Sequence, residues 1–395
     1  MTPDSKATSP LSGVRVLDMT NVLAGPFACQ QLAHLGAEVI KIEIPGRGDL
    51  ARQLGASRAL SADLMGVSFL AQNAGKGSVE LDLKSAEGKA DFLALVETSD
   101  VVVENFRPGV MERLGLGWEV LRARKTDLIY CAISGFGQTG PWAKRPAYDQ
   151  IIQGAAGVMA VTGTPEVNPL RVGFPVADTI GGLTAAMSIC AALADRSEAR
   201  FIDVSMLEAT VATMGWAVSN WLVAGVPPAV IGNENMTAAP SGAFQTGDGL
   251  LNIAANESRQ WEALCRSLGR EDLLSHPDYS QRDDRKANRD ALRVEIEAAL
   301  ASKSARAWEA ELNPLGVPAG AVLSVEEVLA SDHLSERGLV RDFGAFEGAR
   351  GGRLSLVASP VTINGERPCV ASPPPRLGQD ADRYLHQRTT GADDD

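Results

Sequence analysis

Val14-Arg-Val-Leu-Asp18, Ala24-GPFACQQLAHL-Gly36 and Ala37-EVIKI-Glu43 follow one another closely, and their succession decides the fold. The first and third stretches are short apolar runs of strand composition. The second is helix-length and stops at a glycine. A strand, a helix and a strand so spaced form a βαβ unit with a parallel pair and a right-handed crossover. The pattern continues with Val79-Glu-Leu-Asp-Leu83, a helix over residues 86–98 and strands over 100–104 and 127–134. These elements predict an α/β, doubly wound large domain.

At 395 residues the chain is too long for one ordinary core, so a second domain is expected. Residues 10–200 supply most of the large domain and 201–234 read as a helical linker. Residues 235–320 carry the pattern of a smaller α+β domain. The late strand-like residues 353–358 have little core of their own, so 321–388 are expected to return to the large domain. Residues 389–395 read as a solvated, disordered tail.

The formal charge of −12 argues against nucleic acid or an anionic membrane surface as the main partner. Five cysteines are scattered without C-x-x-C spacing and four histidines are dispersed, so neither a disulfide framework nor a metal site is indicated. The N-terminus lacks an apolar signal core, and no segment offers about 18 uninterrupted apolar residues. A cytoplasmic location is the corresponding expectation.

In open parallel sheets, ligands gather at the carboxyl ends of the strands. The loops there carry Lys41, Arg47, Lys76, Arg107, Lys144 and Arg145, which together suggest a convergent phosphate-binding rim. Gly135-Phe-Gly-Gln-Thr-Gly140 fits G-x-G-x-x-G after a strand, but Pro141 and Pro146 follow where a dinucleotide fingerprint needs a helix. NAD is therefore not expected. Asn21-Val-Leu-Ala-Gly-Pro26 opens the first helix without the glycine spacing that a pyrophosphate requires.

One carboxylate stands apart. Asp178, in Arg171-VGFPVA-Asp178-TIGGLTAA, is the only acidic residue between Glu166 and Asp195. A charge among glycines and apolar residues must be neutralised, hydrogen-bonded or used chemically. Locally it reads as the N-cap of a helix over 179–194. Such a cap stays ionised and remains available as a nucleophile, so the two roles are compatible.

Taken together, several of these stretches resemble the class III CoA-transferases, the carnitine dehydratase and bile-acid-inducible F group. They are Val14 to Asp18, Leu23-Ala-Gly-Pro26, Ala37 to Glu43, Asn73-Ala-Gly-Lys76, Val103-Glu-Asn-Phe-Arg-Pro-Gly109, Ser134-GFGQTG-Pro141, Asp178 with its flanks and Ile202-Asp-Val-Ser-Met-Leu-Glu-Ala209. The resemblance spans nearly the whole chain. It implies a Rossmann-like large domain built from both chain ends and an interlocked homodimer. It also implies acyl-CoA and a carboxylic acid as substrates, with coenzyme A carried between them and neither metal nor NAD.

Asp178 matches the family's catalytic aspartate, which forms an aspartyl anhydride and then an aspartyl-CoA thioester. Gln138 and nearby backbone N–H groups are expected to stabilise the oxyanion. The resemblance carries over Val22, Lys41, Lys76, Asn105, Arg107 and Lys144 as CoA contacts. Racemases of the family carry a G-H-D motif where this chain has Ala147-Tyr148-Asp149, so Tyr148 replaces the histidine and racemisation is not expected.

Residues 232–242 and 251–257 resemble relatives acting on C4 or C5 dicarboxylates such as succinate, mesaconate, citramalate, itaconate or malate. The glycine-rich run of formyl-CoA transferases is not evident, which counts against formate or oxalate. A dicarboxylate has a distal charge that needs a cation, and Arg171, Arg52 or Arg58 is the candidate by residue type. The alternatives are a formyl- or oxalyl-type transferase, a 2-methylacyl-CoA racemase and a CoA-binding module without catalysis.

Overall fold

The strands of the N-terminal region are buried along almost their whole length, as in a parallel sheet covered on both faces. In the computed structural model, which describes residues 9–385, they form such a sheet. Strands β1 (Arg15–Met19), β2 (Glu38–Glu43), β3 (Gly77–Glu80), β4 (Val101–Glu104), β5 (Ile129–Ser134) and β6 (Arg200–Ser205) pair in the order β3-β2-β1-β4-β5-β6. All five pairings are parallel. The order reverses between β1 and β4, which opens a crevice at the carboxyl ends of those strands.

Alternate side chains feed two cores. Val16, Val39, Val101, Val103 and Ile133 pack under helix α1 (Ala24–His34) and helix Val176–Leu193. Leu17, Ile40, Val102 and Tyr130 pack on the other face against Phe92, Leu95 and Val96 of helix Ala86–Glu97. Gly36, at φ 102°, ends the first helical stretch in a conformation that side chains rarely adopt.

The described residues divide into two units, one of residues 9–159, 171–228 and 333–385, the other of 160–170 and 229–332. The second unit is an antiparallel sheet of β7 (Ser241–Gln245), β8 (Leu250–Ala254) and β9 (Ala319–Ala321). Phe244, Leu251 and Ile253 of that sheet share a core with Trp261, Leu264, Ile296 and Trp308. In the first unit, the antiparallel pair β10 (Val340–Ala345) and β11 (Arg353–Val357) places Leu354 against Leu60, Met65 and Leu70. Farther on, Tyr384 packs into the core beneath β2 and β3.

Two expectations change. The segment read as a helical linker from residue 201 begins with β6, an edge strand whose first residues alternate in exposure. Residues 160–170 and 321–332 belong to the second unit. Helix Val176–Leu193 reaches the length and mean hydropathy of a membrane span, but Asp178, Thr179, Thr184 and Ser188 interrupt its apolar run; it packs against α1, β5 and β6. The solvated tail expected at 389–395 lies outside the described residues.

Candidate active site

Helix Val176–Leu193 starts at Pro175, which has no side chain able to cap it. Its orphan N–H groups are met from another element: Asp149 Oδ1 accepts from the nitrogens of Ala177 at 2.9 Å and Asp178 at 3.4 Å. Asp178 is thus a first-turn residue and Asp149 is the cap, which corrects the N-cap reading of Asp178. Gln153 Nε2 donates to Asp149 Oδ2 at 2.7 Å, and its Oε1 accepts from the Val172 nitrogen at 2.8 Å, so the segment entering the helix is tied down as well.

One turn after Asp178 comes Gly182, where a Cβ would lie 2.6 Å from the carbonyl oxygen of Ala24. Only glycine allows this approach of the two helices. It brings the face carrying Asp178 against the start of α1.

Asp178 lines a cavity of about 180 Å³ together with Asn21, Val22, Leu23, Asn105, Phe106, Ser134, Gly135 and Tyr148. Among the described residues, none donates a hydrogen bond to its carboxylate. Burial, and after it the charge of Asp149, pushes the Asp178 carboxyl up to about 7. In its ionised form this is a more basic, less solvated carboxylate than an ordinary aspartate. Ser134, at the carboxyl end of β5, is 7% exposed, and among the described residues its Oγ has no partner.

Asn21 and Phe106 are shared with a larger groove of about 590 Å³ along the ends of β1 to β4. Its floor is apolar, with Ile42, Leu81, Val110 and Leu114, and its rim carries Arg47 and Lys84. Both cations are exposed, and among the described residues neither is ion-paired. Glu104, beneath the groove, is pushed up to about 8 by burial while it accepts from the Phe106 nitrogen at 2.7 Å. A neutral Glu104 adds no negative charge against an anionic ligand at neutral pH.

Under the β1–α1 loop lies a buried ionic network. Lys76 Nζ is 2.8 Å from Asp18 Oδ2, and Lys41 Nζ is 3.0 Å from Asp49 Oδ2 and 3.8 Å from Asp18 Oδ1. Burial alone would raise the Asp18 carboxyl, but the two ammonium groups outweigh it and hold it well below the usual carboxylate range. Arg52 forms a two-pronged pair with Glu43, at 2.7 Å on each side, and stacks over Phe69.

The model of the CoA-transferase family III matches residues 11–381. The chain belongs to CoA-transferase family III. It is 37% identical to a succinate–glutarate CoA-transferase of Agrobacterium fabrum, with 99% of this chain and 98% of that protein aligned. It is 38% identical to an acetyl-CoA:oxalate CoA-transferase of Acetobacter aceti, with 92% of each covered. The crystal structure of a CaiB/BaiF family protein from Brucella suis superposes with a TM-score of 0.83 at 31% identity, over 95% of this chain and 98% of that one.

Within this transferase, Val22, Asn105, Tyr148 and Asp178 line one cavity. Lys41, Lys76 and Arg52 were expected to face phosphates or a carboxylate, and that is corrected: all three are buried and their charges are spent on Asp18, Asp49 and Glu43. Gln138 does not line the cavity, and its backbone N–H is engaged by Asp203 at 2.9 Å. Arg107 and Lys144 are exposed outside the cavity lining, as are Arg58 and Arg171.

Sequence reasoning passed over Ser134, Asp149, Lys84 and Asn21 as site residues. Ser134, which ends β5, and Asn21, two residues past β1, were within reach of the strand-end rule. Asp149 was not, because its partners lie 28 and 29 positions away in the chain.

Proposed function

We propose that this transferase moves CoA between an acyl-CoA and a dicarboxylic acid through covalent intermediates on Asp178. An Asp178 oxygen attacks the thioester carbonyl carbon; the C–S bond breaks, leaving an aspartyl mixed anhydride and CoA thiolate. The thiolate attacks the aspartyl carbonyl and expels the donor carboxylate, giving an aspartyl-CoA thioester. The acceptor carboxylate repeats the sequence in reverse and Asp178 is regenerated. The observation that carries this reading is the carboxylate itself: half-buried, without a donor among the described residues, and raised to about 7 inside a cavity at the sheet's switch point.

The groove beside the cavity supports the placement of CoA. A nucleotide over the apolar floor would meet Arg47 and Lys84 with its phosphates, and pantetheine would pass Asn21 and Phe106 to reach Asp178. Ser134 Oγ, lacking a partner, is the hydroxyl we assign to the developing oxyanion in place of Gln138. For the acid, relatives named for glutarate and for oxalate are about equally similar, so the missing glycine-rich run does not separate short from longer dicarboxylates. The interlocked, Rossmann-like homodimer is our reading of the assembly. Helix Trp216–Ala224 supports it, since none of its residues is buried and Trp216, Trp221, Leu222 and Val223 are all exposed.

Mass spectrometry of the enzyme mixed with succinyl-CoA tests the chemistry. A CoA thioester on the Asp178 peptide, convertible to a hydroxamate by hydroxylamine, is expected. Transfer without any adduct at Asp178 overturns the mechanism. A panel of acceptor acids tests the substrate class, and activity confined to monocarboxylates excludes dicarboxylates.

A further inference from the structure

Val22 has a φ of 68°. A β-branched residue rarely enters this region, and it stays there only when its surroundings hold it. The surroundings here are unusually complete. Five successive backbone polar groups of the β1–α1 loop are each satisfied by a side chain from elsewhere in the unit or from the strand end. Asp18 Oδ1 takes the Thr20 N–H at 2.9 Å, Lys41 Nζ donates to the Thr20 carbonyl at 2.8 Å, and the Asn105 amide meets both the N–H and the carbonyl of Asn21 at 2.8 Å. The fifth is the Val22 N–H, which donates to Asp49 Oδ1 at 2.9 Å.

Asp49 is fixed in turn. It is 1% exposed, and Lys41 Nζ, which also holds the Thr20 carbonyl, lies 3.0 Å from its Oδ2. One buried ammonium therefore connects the beginning of the loop with the anchor at its end. Asn21, Val22 and Leu23, the residues so held, form one wall of the cavity containing Asp178.

We infer that Asp49 is a positioning residue of the transfer reaction. Through the Val22 N–H it keeps the loop in a conformation valine would not hold unaided, with Lys41 holding Asp49; the inference rests on Asp178 being the nucleophile. Without the anchor Val22 relaxes to negative φ, the peptide turns, and the wall facing the thioester is lost while the phosphate rim at Arg47 and Lys84 stays intact. The defect therefore falls on kcat more than on the KM for acyl-CoA.

A double-mutant cycle tests this. Asp49→Ala is expected to lower kcat at least about tenfold in the valine background and under about threefold in a Val22→Gly background, because glycine adopts positive φ without strain. Asp49→Asn keeps an oxygen for the Val22 amide but turns its NH2 toward Lys41 Nζ, so its kcat should lie between those of the parent and Asp49→Ala. Equal factors in the two backgrounds, or an undiminished kcat in Asp49→Ala, overturn the inference. If Asp49→Ala does not fold, Asp49→Ser, whose hydroxyl is too short to reach the amide, enters the same cycle with the same criteria. Asp178→Ala measured alongside keeps the two claims apart: transfer that survives there overturns the nucleophile, whereas transfer lost there but insensitive to Asp49→Ala overturns the anchor.

Discussion

Asp149 holds the nitrogens of Ala177 and Asp178 with a single carboxylate oxygen, so the residue that caps the Asp178 helix is also a charge beside the proposed nucleophile. The two effects oppose each other in function. The cap orders the first turn, while its negative charge, secondary to burial, raises the Asp178 carboxyl.

Asp149→Asn separates them. An amide oxygen can still accept from Ala177, but its NH2 meets the Gln153 amide, so a stability loss of about 1–3 kcal/mol is expected. With the charge gone, Asp178 ionises more readily, and the acidic limb of the kcat/KM profile should move below 7. The pH profile of the variant beside that of wild type checks this; an unmoved limb means that burial alone sets the Asp178 carboxyl.

Asp178 also marks stability with pH. Its carboxyl is raised from an ordinary 3.8 to about 7, so the folded state holds a proton the unfolded chain has lost, and its contribution to stability falls as pH rises between those values. Asp178→Asn removes this liability. After allowance for its partial exposure, the variant should be about 1–2 kcal/mol more stable than wild type at pH 8, with the difference vanishing near pH 4. Thermal melts across that range read it. The same variant should lose transfer at least about a thousandfold.

The cations divide into two kinds with opposite mutant signatures. Arg47→Ala and Lys84→Ala are expected to raise KM for acyl-CoA about tenfold each, or about 1.4 kcal/mol, with kcat and melting temperature little changed and the effect weaker in high salt. Lys41→Ala and Lys76→Ala strand buried carboxylates and should cost about 3–5 kcal/mol of stability. Denaturant melts and acyl-CoA titrations on the four variants decide between rim and core.

That division shows where reading from sequence succeeds and where it stops. The alternation of β1, α1 and β2 was legible because period and glycine stop are local properties. Lys41 was misplaced because a cation inside a strand and one just past its end look alike in a short motif; the difference is that Lys41 lies between Ile40 and Ile42 in a strand covered on both faces, whereas Arg47 comes after the strand ends at Glu43. Asp178 was found from its isolation, but its cap was invisible, since Asp149 meets the helix only after the chain folds. β6 was read into the following helix because an edge strand with exposed Phe201 and Asp203 lacks the continuous apolar run of its neighbours.

Ser134 stands at the polar end of a strand that is otherwise core. Its Oγ has no partner to lose, so Ser134→Ala should leave stability within about 0.5 kcal/mol of wild type. If the hydroxyl meets the oxyanion, kcat falls about tenfold or more with acyl-CoA KM unchanged. Steady-state kinetics with melting as the control measure both, and an unchanged kcat returns the oxyanion role to a backbone donor.

Gly182 sets the distance between the Asp178 helix and α1. A Cβ there would meet the Ala24 carbonyl at 2.6 Å and the Phe27 ring at 3.0 Å, and the carbonyl cannot yield without moving a helix. Gly182→Ala is therefore expected to cost about 1–3 kcal/mol and to push Asp178 away from Asn21 to Leu23. Because a displacement near 1 Å can cost about a hundredfold in rate, kcat should fall more steeply than stability alone explains. Activity measured well below the variant's melting temperature isolates that term. A Gly182→Ala enzyme with full kcat would mean that the cavity tolerates a wider spacing than the one seen between these two helices.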